Sequence, residues 1–221
     1  GVINKMAETK PAYPETKKIR RLSMWAPDPS AEGERASLDF SVRGFNYEIT
    51  VWPRGPAEKN NPPIKASLTA TNLGILIDNI RFVANAPGKE IADFTTRNMA
   101  KVEGDAEKRE IRDQGVVRVC KSTEGIVFIG VFDADETRSR ILFPFSLDRW
   151  TGKLVRGGQQ LSESDVSKMV ALNTAKILED VLNKNLEITS DTENKELYGD
   201  RAKPAGKKPQ NNSYGGASDS Y

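Results

Sequence analysis

The amino-acid sequence predicts an α+β fold: antiparallel β-sheets of about seven strands, a mid-chain helix, a long C-terminal helix and a disordered C-terminal tail. Three observations carry that expectation. Short runs alternate apolar and polar residues, the period-two signature of half-buried strands. Two longer stretches, after Thr71 and after Ser162, space their apolar residues three and four apart, as helices do. Most strand-like runs are separated by only a few turn residues, which suits hairpins rather than crossovers.

Taken in order, residues 1–16 carry Pro11 and Pro14 among polar residues and read as a flexible N-terminal arm. Within it Gly1 to Lys5, ahead of Met6-Ala7-Glu8, read as a tag remnant. A single domain is expected over 17–185. Lys17 to Trp25 reads as its first strand, stopped by Ala26-Pro27-Asp28-Pro29 because proline cannot donate to a ladder. Leu38, Phe40 and Val42 then alternate with Ser37, Asp39, Ser41 and Arg43. Past Gly44 the apolar phase slips by one residue to Phe45, Tyr47, Ile49 and Val51. A continuous strand cannot slip without turning its apolar face to water, so a hairpin turn is placed at Gly44.

Pro53 to Pro63 reads as a loop and Ile64 to Thr69 as a short strand. The first helix is expected from an N-cap at Thr71, through Leu73, Leu76, Ile77, Ile80 and Val83, to Pro87-Gly88. Glu90 to Lys101 alternates as a strand, whereas Glu103 to Asp113 is heavily charged and reads as a mobile connection. Val116 to Lys121, Gly125 to Asp133 and Arg138 to Leu147 form an expected three-strand meander. Ser162 and Asp165 resemble a capping box for the second helix, expected to run to Lys184. Its stripe of Val166, Met169, Val170, Ile177, Leu178, Val181 and Leu182, widened by Ala171, Leu172 and Ala175, exceeds what one sheet face needs. A homo-oligomer through this helix is therefore expected, beside packing within the chain. Residues 186–221, rich in Ser, Asn, Gly and Pro toward their end, read as the disordered tail.

Composition narrows the chemistry. The 221 residues contain no histidine and one cysteine, Cys120. That excludes Ser-His and Cys-His nucleophile pairs, imidazole metal sites and an internal disulfide, and it fits a reducing, cytoplasmic setting. No P-loop spacing occurs, and Asp133, Asp135 and Glu136 read as ordinary acids at a hairpin tip. No catalysis, metal or cofactor is expected. Lys plus Arg, at 33, nearly balance Asp plus Glu, at 31. Any anionic partner must therefore be met by a local patch, not by bulk charge.

Such a patch is legible in strand parity. If Tyr47, Ile49 and Val51 face the core, Trp52 and Arg54 face outward together. Arg21 and Trp25 share a face of the first strand, Arg97 and Lys101 share a parity, Arg118 alternates with Val117 and Val119, and Arg138 and Arg140 flank Ser139. Trp150 lies in a turn, and Lys207 and Lys208 in the tail can reach along a bound strand. Exposed indoles among cations suit single-stranded DNA, whose unpaired bases stack on aromatic faces while phosphates follow the positive charge. The alternative is an oligomeric structural or adaptor protein without nucleic-acid binding, its tryptophans covering the core or an interface.

Strands first, a long closing helix and a tail bearing lysine and tyrosine resemble the architecture of Whirly-like single-strand binders. More particularly, Ile19 through Leu182 is similar to the single-stranded-DNA-binding RNA polymerase cofactors of short-tailed bacteriophages with a virion RNA polymerase. The segments that carry this are Ser37 to Phe40, Tyr47 to Trp52 and Arg138 to Phe145. The resemblance implies a transcription cofactor that recruits a phage RNA polymerase to melted promoters. It supplies no site residues; those above come from strand parity.

Overall fold

A computed structural model describes residues 15–19, 22–54, 62–134 and 138–185. Arg21, Lys207 and Lys208, the expected tail and all but the last two residues of the expected arm lie outside these. The elements run β1 (Thr16–Lys18), β2 (Met24–Pro27), β3 (Arg35–Arg43), β4 (Asn46–Trp52), β5 (Ile64–Leu68) and α1 (Ala70–Asn85). They continue with β6 (Glu90–Val102), β7 (Asp105–Lys121), β8 (Val127–Asp133), β9 (Phe143–Pro144), β10 (Val155–Arg156), β11 (Gln159–Gln160) and α2 (Glu163–Asn185). The fold is α+β with antiparallel sheets, as the sequence predicts. Among the described residues eleven strands stand where about seven were expected, because the first splits in two and several ladders are only two residues long.

In the first sheet β3 pairs with β4, and β4 with β5; the other side of β3 is shared by β1 and β2. The slip at Gly44 is a hairpin, with Gly44 at φ 60 and Leu38 opposite Val51, Phe40 opposite Ile49. A left-handed φ of this kind is easily adopted only by glycine. The second sheet has the order β6-β7-β8-β9, and β10 and β11 form a separate ribbon. Each large sheet precedes a helix, and the two helices pack on each other, Arg81 holding Glu179 by two hydrogen bonds of 3.1 and 2.6 Å.

One core joins these layers. Leu38, Ile49 and Leu68 of the first sheet, Leu76 and Ile80 of α1, Val119, Ile129 and Phe143 of the second sheet, and Leu178 of α2 are all buried in it. The sheets meet where β5 passes β7. There the Ser67 amide donates to Gln114 Oε1 at 3.0 Å, and a Cβ on Gly115 would stand 2.9 Å from the Phe132 carbonyl oxygen. Lys121 reaches the C-terminal end of α1, donating to the Ala86 carbonyl at 2.7 Å, where a cation also suits the helix dipole. On α2, Ala171, Thr174, Ala175 and Leu178 are buried within the chain, and Met169, Val170, Leu172, Ile177, Val181 and Leu182 are half-buried flanks.

Four local expectations are corrected. Lys17 to Trp25 is not one strand: β1 and β2 pair with different halves of β3. The cap of α1 is Thr69, whose Oγ1 accepts from the Asn72 amide at 3.2 Å; Thr71 lies inside the first turn. Glu103 to Asp113 is not a loose connection, since β7 begins at Asp105 and returns along β6. Glu107 to Asp113 are exposed on both faces, so this half of β7 lacks the apolar alternation that marks Glu90 to Lys101 as a strand. Arg138 to Leu147 makes a ladder only at Phe143-Pro144. Its inward alternation is nonetheless real, with Ile141, Phe143 and Phe145 buried, so burial rather than pairing holds the segment.

Candidate nucleic-acid interface

The outward face of the first sheet begins with the parity of β3. Ala36, Leu38 and Phe40 point into the core, so Arg35, Ser37, Asp39, Ser41 and Arg43 point the other way. Register then aligns residues across strands. Trp25 of β2 and Trp52 of β4 both stand opposite Ser37, one on each side. They are 52% and 41% exposed. Two strand spacings separate their backbones, about 10 Å, and only a serine lies between.

The neighbouring rows supply charge. Asp39, opposite Thr50, accepts from Lys18 Nζ at 2.6 Å and from Ser23 Oγ at 2.5 Å. Glu48 accepts from Lys65 Nζ at 3.1 Å and from Thr50 Oγ1 at 2.9 Å. Both acids of the face are thus matched by lysines. One row beyond the indoles, continuing the β3–β4 register sets Arg54 opposite Arg35. Both are exposed, and among the described residues neither guanidinium is in an ion pair. The backbone of Arg54 is pinned: its amide donates to Asp28 Oδ2 at 2.6 Å, while Asp28 Oδ1 accepts from the Ser30 amide at 2.9 Å and its hydroxyl at 2.6 Å.

The other expected cations lie elsewhere. On the second sheet Arg118 grips Asp93 through two hydrogen bonds of 2.9 and 2.6 Å. Its guanidinium and that of Arg140 lie 5.6 and 5.4 Å from the ring centre of Phe132, a cation–π arrangement around a buried ring. Arg97 and Lys101 are exposed on the β6–β7 ribbon, Arg97 bonded to Asp113 at 2.9 Å. Arg138 is held by Asp133 and by the Pro62 carbonyl. Trp150 is 81% exposed beside the Arg149 guanidinium, in a turn where Asp148 Oδ1 accepts from the Trp150 amide at 3.0 Å.

The structure therefore brings together Trp25, Trp52 and Arg54, and sets Arg118, Arg138, Arg140, Arg97, Lys101 and Trp150 in other surroundings. Sequence reasoning missed Lys18, Arg35, Arg43 and Lys65 on the same face as the two indoles. The signal for Arg35 and Arg43 was present, because they close the polar parity of β3 at either end. Comparison with family models, curated proteins and solved structures gives no match to this chain.

Proposed function

We propose that this chain is a non-catalytic single-stranded DNA-binding protein that uses the outward face of its first sheet. The observation that carries the reading is the row Trp25, Ser37, Trp52, two half-exposed indoles across a small residue with Arg35 and Arg54 in the next row. Each base stacked on an aromatic side chain contributes ~1 to 3 kcal/mol, and a single strand can offer unstacked bases where a duplex cannot. With Asp39 and Glu48 matched by Lys18 and Lys65, Arg35 and Arg54 supply the local positive charge that a net of +2 does not. The resemblance drawn from the sequence adds the cellular role, a transcription cofactor that brings a phage RNA polymerase to melted promoters.

Fluorescence anisotropy with labelled oligothymidine and a matched duplex, at two salt concentrations, tests the binding. The single strand is expected to bind more tightly, with log affinity falling by ~0.7 per log unit of salt for each phosphate neutralised. Trp25→Ala and Trp52→Ala should each weaken binding roughly 5- to 150-fold, the equivalent of ~1 to 3 kcal/mol. Phe82→Ala, which removes an exposed ring from α1, should leave it unchanged. Equal, feeble affinity for both DNA forms, or indole variants that bind as the parent does, sinks this reading and favours the adaptor.

A further inference from the structure

Among the described residues β6 is an edge strand of the second sheet, paired only with β7. Its open side is identified by two hydrogen bonds. The Ile91 amide donates to Glu90 Oε1 at 3.1 Å and the Met99 amide to Asn98 Oδ1 at 2.8 Å, each satisfied by the preceding side chain instead of a neighbouring strand. Backbone polar groups alternate sides along a strand, so the odd-numbered residues of β6 turn theirs to the open edge. The side chains of Ile91, Asp93, Thr95, Arg97, Met99 and Lys101 are also the exposed set of this strand's outward face. Ile91 is 47% and Met99 51% exposed, and Ile111, opposite Met99 on β7, is 68% exposed. A thirteen-residue open edge with apolar side chains is a template for another strand.

We propose that two copies of this chain pair β6 to β6, antiparallel about a two-fold axis at Thr95, joining their second sheets into one. The register follows from self-complementarity, which a two-fold contact requires. With the axis at Thr95, Ile91 faces Met99 of the second copy, Asp93 faces Arg97 of the second copy, and Thr95 faces itself. An axis at Phe94 sets Ile91 against Arg97, and one at Thr96 sets Ile91 against Lys101 and Asp93 against Met99. Half-integer axes put facing side chains on opposite sides of the sheet.

The rows within each copy extend the match. Arg118 and Asp93 are paired across β7 and β6, as are Arg97 and Asp113. Joined, they form a row of alternating sign: Arg118, Asp93, then Arg97 and Asp113 of the second copy. The apolar row runs Phe128, Cys120, Ile91, then Met99 and Ile111 of the second copy. The bulge between Thr96 and Arg97 inserts Gln114 into β7 and leaves β6 unbroken.

The pairing does not rest on the nucleic-acid reading, and its test uses the full chain without DNA. Sedimentation equilibrium at tens of micromolar should show a dimer. Asp93→Arg and Arg97→Asp alone each create two like-charge pairs by symmetry, and each should weaken the dimer at least tenfold. Mixing the two variants should restore a dimer, because each then offers the other opposite charges. Since both substitutions also break a pair within their own chain, and that damage persists in the mixture, recovery can come only from the contact between copies. In a Cys120→Ser background, Thr95→Cys should cross-link under mild oxidation, facing backbones lying about 5.5 Å apart in a hydrogen-bonded pair. Thr123→Cys, in an exposed turn, should not. A monomeric parent, variants that dimerise unchanged, a mixture that stays apart, or equal cross-linking at both cysteines overturns the proposal.

Discussion

Asp28 is a buried carboxylate whose work is geometric. It ties the turn after β2 to the chain leaving β4, and so holds Arg54 close to Trp52. Removing it takes the acceptor from the Arg54 and Ser30 amides, which costs hydrogen bonds to a charged group. Asp28→Ala should destabilise the chain by about 1 to 3 kcal/mol in urea titration, with Asp28→Asn, which keeps one acceptor, recovering part of the loss. At this scale the sequence was legible where parity decides. Trp52 faces outward because Tyr47, Ile49 and Val51 face inward, and the structure keeps that alternation. It was illegible where a partner is far along the chain. Nothing near Arg118 announces Asp93, 25 residues away, and Arg138 finds the Pro62 carbonyl 76 residues away. An arginine on a polar strand face therefore looks the same whether solvent or a carboxylate receives it.

Elements were legible when one face is wet and the other dry. The hairpin at Gly44, β6 and both helices follow from such patterns, while the first half of β7 does not, its charges pairing across strands on an unburied surface. The contact between α1 and α2 offers a test by pH. The hydrogen bond from Arg81, and secondarily its charge, hold the Glu179 carboxyl below its ordinary value, while desolvation opposes them. A carboxyl lowered in the folded state contributes stability that is fully present above its unfolded value, about 4.3, and is lost as pH falls through the folded one. Glu179→Gln should therefore be less stable than the parent at pH 7, and the difference should shrink below about pH 4. Thermal melts at pH 7, 4.5 and 3 measure this. A gap that stays constant across the three contradicts the assigned role of the ion pair.

For the whole molecule, the order of strands and helices could be read from the chain, but not where the two sheets meet. That junction depends on Gln114 reaching the Ser67 amide and on a glycine at 115, where a Cβ would also lie 3.4 Å from the Lys65 carbonyl oxygen. No periodicity encodes either. The consequence is that both sheets share one core, so damage to one should be felt in the other. Phe143 makes the point sharply: it is fully buried, belongs to the second sheet opposite Ile129, and carries none of the binding face. Phe143→Ala should cost ~3 to 5 kcal/mol through lost transfer energy and the cavity left behind. In a Trp150→Phe background, intrinsic fluorescence reports Trp25 and Trp52 of the first sheet, while far-UV circular dichroism follows the backbone throughout. Cooperative coupling requires the two urea transitions to coincide and to move together in the variant. Should the indole transition hold still while part of the dichroism shifts, the sheets unfold separately, and the shared core does not couple them.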